Sequence, residues 1–434
     1  MQPERKALQL SPLSPTRERS GHMAESVMQS LSPETLPGHD RVSSVNTAAP
    51  GAVILGIEHQ GLGLLRQLRA AGVRCVLVDQ DRWGLARFSR HSTRFHQCPP
   101  YESEDFWPWL AALGEREMLD GWLLIPTHDE QVRQLSRNID EVQNRFRYVG
   151  PAWTTFEKLY DKRLCYKWCL ANNISSPLSY LPQTRDDLPR GELHYPFIVK
   201  PAFKRNFRQY SRDKAVLVRS ETKLRNLLTG KFRGLDEHEI LFQELIPGGG
   251  RQQWSYAGLF IDGEPLAAFT ACRLRQYPVD FGRASTYVVA DYDPEVEAES
   301  RRVMAALNYT GLAEVEWKRD PRNGRLLFLE VNARSWGWHS LAAGVVGNLP
   351  KMLYDHASGH HPEPVTPAYG ARWVKLVRDL PVGFTEWRKG DISLREYALT
   401  LRRGVMCCEW EWSDPLPLFF QLFLVPYILN KRGY

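Results

Sequence analysis

The sequence predicts a protein that combines the α/β and α+β classes. In its first third, short apolar segments alternate with amphipathic ones, as in a parallel sheet covered by helices. Further along, several strand-like segments are separated only by turns, which is typical of antiparallel pairing. The length of 434 residues suits two or three domains.

Residues 1–49 are rich in Ser, Pro, Thr and charge, and we interpret them as a disordered tail. Order is expected from Ala52, where AVILGI is a strand, followed by the helix GLGLLRQLRAAG ending at Gly72 and the strand VRCVLVD. WLLIPT (122–127) is a further strand, and DEQVRQLSRNIDEVQNRF is a helix. This alternation predicts a parallel α/β domain over residues 50–150.

Gly150-Pro151 marks a break, and a second set of elements follows it. The expected elements are a helix from about Thr155 to Asn172, the strand PFIVKP (196–201), a helix at 220–229, the strand EILFQELI (239–246), two or three strands within 254–290, and the helix EVEAESRRVMAALNYTG.

The segments LAEVEWKR (312–319) and RLLFLEVN (325–332) flank DPRNG and predict a β-hairpin. If the loop is Arg322-Asn323-Gly324, Pro321 faces Arg325 and Glu316 lies opposite Glu330. A two-residue loop would instead send the two glutamates to opposite faces.

In the three-residue register, Glu316, Glu330 and Asn332 share one face of the hairpin. Like charges opposite each other destabilise a sheet, and a divalent cation with oxygen ligands removes the repulsion. The hairpin therefore indicates a Mg²⁺ or Mn²⁺ site in this register. In the other register the glutamates lie on a solvated edge.

The segment EVEWKRDPRNGRLLFLEVNAR resembles the metal-binding hairpin of the ATP-grasp superfamily, with an acidic residue on one strand and E-x-N-x-R on the next. The resemblance covers roughly residues 52–360 and is greatest to the branch of carboxylate–amine ligases that includes D-aspartate ligase. It implies a pre-ATP-grasp domain at 50–150, an ATP-grasp domain at 151–365 with a lid at about 190–243 and a mixed-sheet subdomain, and a C-terminal extension at 366–434.

The resemblance also implies ATP as a substrate and assigns its contacts. Lys162 in LYDKRLCYKW and Lys200 in PFIVKP would bind phosphates. In ILFQELIPGG, Gln243 and Glu244 would contact adenine N6, and the backbones of Leu245 and Ile246 would complete the hinge.

Several arginines and a histidine are candidates for the remaining chemistry. Arg334 lies two residues beyond Asn332 and would stabilise the transferred phosphoryl group. By the resemblance, Arg275 and Arg273 in CRLRQYPVDFGRAS would face a substrate carboxylate or acyl phosphate. His59 follows the first strand, at the end where α/β sheets bind ligands, as does THDE (127–130).

The implied activity is an ATP-dependent ligase that joins a small, amino-acid-like carboxylic acid to an amine through an acyl phosphate, releasing ADP and phosphate. The loop after Lys200, AFKRNFRQYSRDK, departs from the family because it contains no glycine. Lys204, Arg205 and Arg208 would replace its backbone contacts to phosphate. The alternative is an ATP-binding module of the same fold with reduced catalysis.

Composition excludes several other classes. The net charge of +6 comes from dispersed Lys and Arg and does not indicate nucleic acid. The seven cysteines show no CxxC pairing, as expected for reduced thiols in the cytoplasm. GxGxxG is not met after the first strand, which argues against a nicotinamide cofactor. The apolar segment LPLFFQLFLVPYILNKRGY is too short to span a bilayer, so we expect it to pack on the protein or to contact a membrane surface.

Overall fold

Three sheets organise the chain in the computed structural model. The model describes residues 49–432 except 93, 183, 185–186, 188–192, 203–214, 280–283 and 403. Residues 49–434 form one unit by their internal contacts. The tail at 1–48 and the loop residues Lys204, Arg205 and Arg208 lie outside the described residues, so these predictions stay predictions.

The first sheet is parallel, with strand order β3-β2-β1-β4. Its strands and the helices that accompany them are β1 (Ala52–Leu55), α1 (His59–Ala70), β2 (Cys75–Asp79), β3 (Arg94–Gln97), α2 (Phe106–Arg116), β4 (Leu123–Pro126), α3 (Asp129–Arg137) and α4 (Ile139–Arg145). The predicted parallel α/β region is therefore confirmed. The order reverses between β1 and β4, which makes their carboxyl ends the switch point where ligands bind in such sheets.

Two of the predicted helices are each divided in two. The segment after Asp129 breaks at Asn138, whose side-chain amide donates to the carbonyl of Gln134 at 2.8 Å. The segment after Gly150 breaks at Asp161 and gives α5 (Trp153–Tyr160) and α6 (Lys162–Ala171). Asp161 accepts a hydrogen bond from the backbone N–H of Arg163, so it starts a new helix as its N-cap.

The second sheet is antiparallel, with strand order β5-β8-β6-β7. Its elements are β5 (Ser179–Tyr180), β6 (Phe197–Pro201), β7 (Val216–Val218), α7 (Glu221–Asn226), a π-helical turn (Leu227–Lys231) and β8 (Ile240–Glu244). This sheet has its own apolar cluster, which includes Phe197, Val199, Leu224 and Phe242. It contains the described part of the predicted lid.

The third sheet has seven strands in the order β13-β12-β9-β10-β11-β14-β15. Its elements are β9 (Gln253–Ile261), β10 (Glu264–Tyr277), β11 (Ala284–Ala290), α8 (Pro294–Leu307), β12 (Gly311–Arg319), β13 (Leu326–Asn332), α9 (Leu349–Ala357), β14 (Arg372–Val374), α10 (Leu376–Lys389), α11 (Leu394–Thr400), β15 (Val405–Cys407) and α12 (Leu416–Arg432). Among the described strands of this third sheet, β14 and β15 pair in parallel and the others are antiparallel. The C-terminal extension therefore continues this sheet.

Alternating residues of the third sheet lie in two different apolar clusters, one on each face. On β12, Ala313, Val315 and Trp317 pack with α8, whereas Leu312 faces the cluster shared with α1 and the parallel sheet. The face that carries Leu312 becomes polar toward the carboxyl end of β12, and the candidate site forms there. None of the described helices is long and apolar enough to cross a membrane.

The register of the hairpin β12–β13 places Glu316 opposite Glu330, as predicted, but the reason differs. The backbone N–H of Asp320 donates to the carbonyl of Arg325 at 2.8 Å, so the loop has four residues instead of three. A β-bulge at Leu329 then adds one residue to β13 and restores the pairing of the glutamates. Leu329 is only half-buried, whereas Phe328 and Val331 enter the core on either side of the bulge.

Gly324 closes this loop with φ +73°, in the left-handed region. A Cβ at Gly324 would meet no atom within 4 Å, so the Gly324→Ala variant tests backbone conformation alone. We expect it to lower the free energy of unfolding by about 1 kcal/mol. Gly230 also has open space but no positive φ, so Gly230→Ala should be neutral or stabilising by about 0.5 kcal/mol. Equal effects in chemical denaturation would contradict this account of the turn.

Candidate active site

A cleft of about 410 Å³ opens between the start of α6, the end of β6 and the hairpin strand β13. Its polar lining includes Asp129, Lys162, Glu330 and Asn332. The backbone N–H of Lys162 donates to the carbonyl of Ala202 at 3.2 Å, which joins α6 to the antiparallel sheet. Residues from three segments that are far apart in the sequence therefore meet at one cleft.

Lys162 and Glu330 form an ion pair, with 3.0 Å between Nζ and Oε2. Their side chains are 17% and 23% exposed. Burial is the largest single effect and disfavours the charge of Lys162, but Glu330, together with Tyr166 and Cys165, raises the pKa of the lysine above its ordinary value overall. The lysine thus stays protonated over the physiological range and is available to an anion that enters the cleft.

Asn332 links the two strands of the hairpin through its side-chain amide. Its Nδ2 donates to Glu316 Oε1 at 2.8 Å and to Glu314 Oε2 at 3.0 Å, and its Oδ1 accepts from Arg334 at 3.0 Å. Glu316 also accepts from Gln253 at 2.5 Å. Glu316, Glu330 and Asn332 are therefore brought to one face, as predicted for metal ligands.

Glu314 belongs to this cluster and was not predicted. It accepts from Ser255 Oγ at 2.9 Å and from Trp338 Nε1 at 3.0 Å. Burial, and then the charge of Glu316, raise its pKa to about 8. The sequence did contain a signal, because Glu314 precedes Glu316 by two residues and so shares its face.

The donor set suits a metal that arrives with a nucleotide. No three Asp, Glu, His or Cys side chains among the described residues form a group that could hold a metal ion. The hairpin instead offers two carboxylates opposite each other and an amide oxygen. Mg²⁺ is commonly held by one or two carboxylates together with substrate phosphates and water, so these residues fit it.

Arg334 lies where the hairpin meets the parallel sheet. Its Nε donates to Asp129 at 2.7 Å, and Asp129 begins α3 just after β4. Burial is the largest single effect and disfavours the guanidinium charge, but Asp129, together with Glu314 and Glu330, raises the pKa of Arg334 overall. The predicted catalytic arginine is thus held beside the predicted metal ligands and against the switch point of the parallel sheet.

Arg273 and Arg275 lie on opposite faces of β10. Arg273 donates to Gln253 at 2.9 Å and lies 3.5 Å from Glu316. A bulge at Leu274 turns Arg275 the other way, where its guanidinium binds Asp379 at 2.7 Å and stacks on Tyr287. Arg275 is therefore not brought to the cluster, and its contacts favour a structural role.

Lys200 lies on β6 and donates to Gln243 Oε1 at 2.7 Å. Gln243 is buried and donates in turn to Ser179 Oγ at 2.8 Å. Glu244 ends β8, and its carboxylate accepts from the backbone N–H of Leu178 at 2.8 Å. The predicted phosphate-binding lysine and the start of the predicted hinge are therefore neighbours in the antiparallel sheet.

The rest of the hinge is held by a lysine that sequence reasoning did not single out. The carbonyls of Ile246 and Gly248 both accept from Lys318 Nζ at 2.9 Å. Leu245 is half-buried beside them. Burial lowers the pKa of Lys318 to about 8. Since Lys318 follows Glu316 on β12, the predicted hinge is bonded to the strand that carries a predicted metal ligand.

Comparisons with known proteins agree with this architecture. No protein-family model matches the chain. In sequence it is similar to a D-aspartate ligase from Enterococcus faecium, with 21% identity over 307 residues that cover 65% of this chain and 70% of the relative.

Two solved structures are similar in fold. An L-amino acid ligase from Bacillus licheniformis matches with a TM-score of 0.57 at 16% identity, over 75% of this chain and 79% of that one. N5-carboxyaminoimidazole synthetase from Staphylococcus aureus matches with a TM-score of 0.58 at 15% identity, over 78% and 86%. These structures are ATP-grasp proteins, so the predicted fold is confirmed.

Proposed function

We propose that this chain, which has the ATP-grasp fold, is an ATP-dependent ligase that joins a carboxylic acid to an amine. The observation that carries the proposal is the hairpin cluster. Glu316, Glu330 and Asn332 share one face, Glu330 binds Lys162, and Asn332 binds Arg334. An acidic face flanked by half-buried cations suits a metal–nucleotide complex and the charge that develops in phosphoryl transfer.

The names of the similar proteins narrow the range of substrates that we propose for this chain. D-aspartate ligase and L-amino acid ligase both act on amino acids by name, so we take the acid and the amine to be amino-acid-like. The synthetase relative matches equally well in fold, and fold alone does not select a substrate.

A carboxylate needs activation because its leaving group would otherwise be oxide. We propose that a carboxylate oxygen attacks the γ-phosphorus of ATP, the bond to the β-phosphate oxygen breaks, and ADP leaves. The amine nitrogen then attacks the acyl carbon, inorganic phosphate departs with that carboxylate oxygen, and the nitrogen loses a proton. No covalent intermediate with the enzyme is required.

In this scheme Lys162 and Lys200 bind the phosphates, while Arg334 and Arg273 stabilise the transferred phosphoryl group and the acyl phosphate. Glu316, Glu330 and Asn332 would hold Mg²⁺, which when bound neutralises charge on the β- and γ-phosphates. Gln243 to Ile246 would form the adenine-binding hinge beside them.

A phosphate-release screen tests the activity. Amino acids would be supplied in pairs, as acid and amine, with ATP and Mg²⁺. We expect ADP and phosphate to form only when both partners are present, and chelation by EDTA to abolish the reaction. Release of AMP would contradict the mechanism. Binding of ATP without turnover on any pair would favour the alternative, an ATP-binding module with reduced catalysis.

A further inference from the structure

The segment after β13 crosses the carboxyl edge of the parallel sheet and leads from the hairpin cluster to α1. Arg334 binds Asp129, and Ser335 Oγ donates to the carbonyl of Pro126 at the end of β4. Gly337 lies beside the first residue of α1, because a Cβ built on it would be 3.5 Å from His59 Nε2. This segment thus connects the hairpin cluster to His59.

At that point the C-terminal extension contributes a buried lysine. Lys375 follows β14, is only 4% exposed, and places its Nζ 2.9 Å from His59 Nδ1. No carboxylate of the described residues lies within ion-pair distance of this Nζ. A buried lysine is rarely left without a counter-charge, since removing an ammonium group from water is costly. Burial, and then Arg378, lower its pKa to about 8.

The Lys375 ammonium group contacts His59, while the carboxylates of Glu58 and Glu409 favour its charge from beyond ion-pair distance. A protonated lysine can donate to His59 Nδ1 only when that nitrogen carries no hydrogen, so the neutral ring has its hydrogen on Nε2, on the side of Gly337. His59 begins a helix of twelve residues, whose N-terminus adds partial positive charge. Glu58 precedes it and makes no side-chain cap to that helix.

A second buried group next to Lys375 also needs a partner. Thr286 lies beside it in the sheet, because the Lys375 backbone N–H donates to the Thr286 carbonyl at 2.9 Å. The Thr286 hydroxyl is fully buried and has no hydrogen-bond partner among the described residues. Residues paired in this way share a face, so the hydroxyl and the lysine lie on the same side.

We propose that Lys375, His59 and Thr286 bind the carboxylate of an amino-acid substrate at the N-terminus of α1. The inference rests on the proposed ligase function and assigns its substrate class. A carboxylate accepts hydrogen bonds only and would bring a negative charge into direct contact with the buried lysine. The C-terminal extension, which lies outside the segment that resembles ATP-grasp proteins, would thereby complete the substrate site.

Isothermal titration calorimetry on the full chain tests this inference. The ligands are D-aspartate, L-aspartate and L-alanine, and each is compared with its own α-carboxamide. At least one free acid should bind the wild type, and its carboxamide should bind at least 10-fold more weakly. Lys375→Met should weaken that acid roughly 10- to 100-fold and leave the carboxamide unchanged. Lys375→Arg should recover part of the affinity. Lys351→Met, which removes a lysine paired with Asp355 on α9, is the matched control and should change nothing.

Three results would overturn the inference. They are no binding of any free acid, equal binding of acid and carboxamide, or a Lys375→Met variant with the same ratio of acid to carboxamide affinity as the wild type. Each leaves the ligase proposal intact if paired substrates still release ADP and phosphate. If the wild type did not bind Mg²⁺-ATP, the ligase proposal itself would be contradicted. The melting temperature of Lys375→Met, measured in parallel, separates unfolding from lost recognition.

Discussion

Replacing Glu330 with glutamine is expected to lower kcat by about 10³-fold or more. The change removes a proposed metal ligand and also the counter-ion of Lys162. It keeps the size of the side chain, so the register of the hairpin should persist. We expect a loss of about 1–3 kcal/mol in the free energy of unfolding, because a buried ammonium group loses its charged acceptor. Steady-state ADP release and chemical denaturation measure the two effects.

Glu117→Gln is a matched control for this variant. Glu117 is 22% exposed against 23% for Glu330, and its carboxylate is also ion-paired, with Arg94 at 3.3 Å and Arg116 at 3.6 Å. It lies on the parallel-sheet side of the chain, away from the cleft. We expect its kcat to stay within 2-fold of the wild type, as is usual for changes outside an active site (about 0.4 kcal/mol or less). If Glu330→Gln retained more than about a tenth of the wild-type rate, the hairpin would not be the metal site.

The second large effect is on stability, and it concerns Arg275. Its guanidinium binds both oxygens of Asp379, donates to Thr400 and is 2% exposed. Arg275→Met leaves the Asp379 carboxylate buried without its ion-pair partner. We expect the free energy of unfolding to fall by about 3–5 kcal/mol, measured by denaturant unfolding. The activity of the fraction that stays folded should change little, because Arg275 touches nothing in the cleft.

Arg273→Met provides the opposite case on the same strand. The Arg273 guanidinium donates hydrogen bonds to the side chains of Gln253 and Glu316. We expect it to cost about 1 kcal/mol in stability but to lower kcat/KM at least 100-fold. The two variants together separate the two arginines. An inactive but stable Arg275→Met, beside an active Arg273→Met, would reverse our assignment.

The difference between these arginines shows where sequence reasoning ends. Period-2 alternation places Arg273 and Arg275 on one face, and only the bulge at Leu274 separates them. The same alternation led to the correct pairing of Glu316 with Glu330, although the loop was wrong by one residue and the bulge at Leu329 compensated. A bulge has no reliable sequence signature. Alternation therefore assigns the residues beyond a bulge to the wrong face of the sheet.

Local patterns were informative where chemistry and secondary structure coincide on a short segment. E-x-N-x-R on β13 and the apolar strands of the parallel sheet could be predicted for that reason. The ion pair of Lys162 with Glu330 joins residues 168 positions apart, and the contact of Lys375 with His59 joins residues 316 positions apart. Such contacts depend on how the sheets pack, which periodicity does not specify. Glu314 is different, because the alternation already applied to Asn332 would have found it.

The mechanism is tested most directly by following a carboxylate oxygen. An acid substrate labelled with ¹⁸O in its carboxylate would be turned over with ATP, Mg²⁺ and an amine, and the released phosphate analysed by mass spectrometry. Our account predicts one ¹⁸O atom in each phosphate released, because that oxygen bonds to phosphorus before the amine attacks. Phosphate without label, or label recovered in AMP, would contradict it.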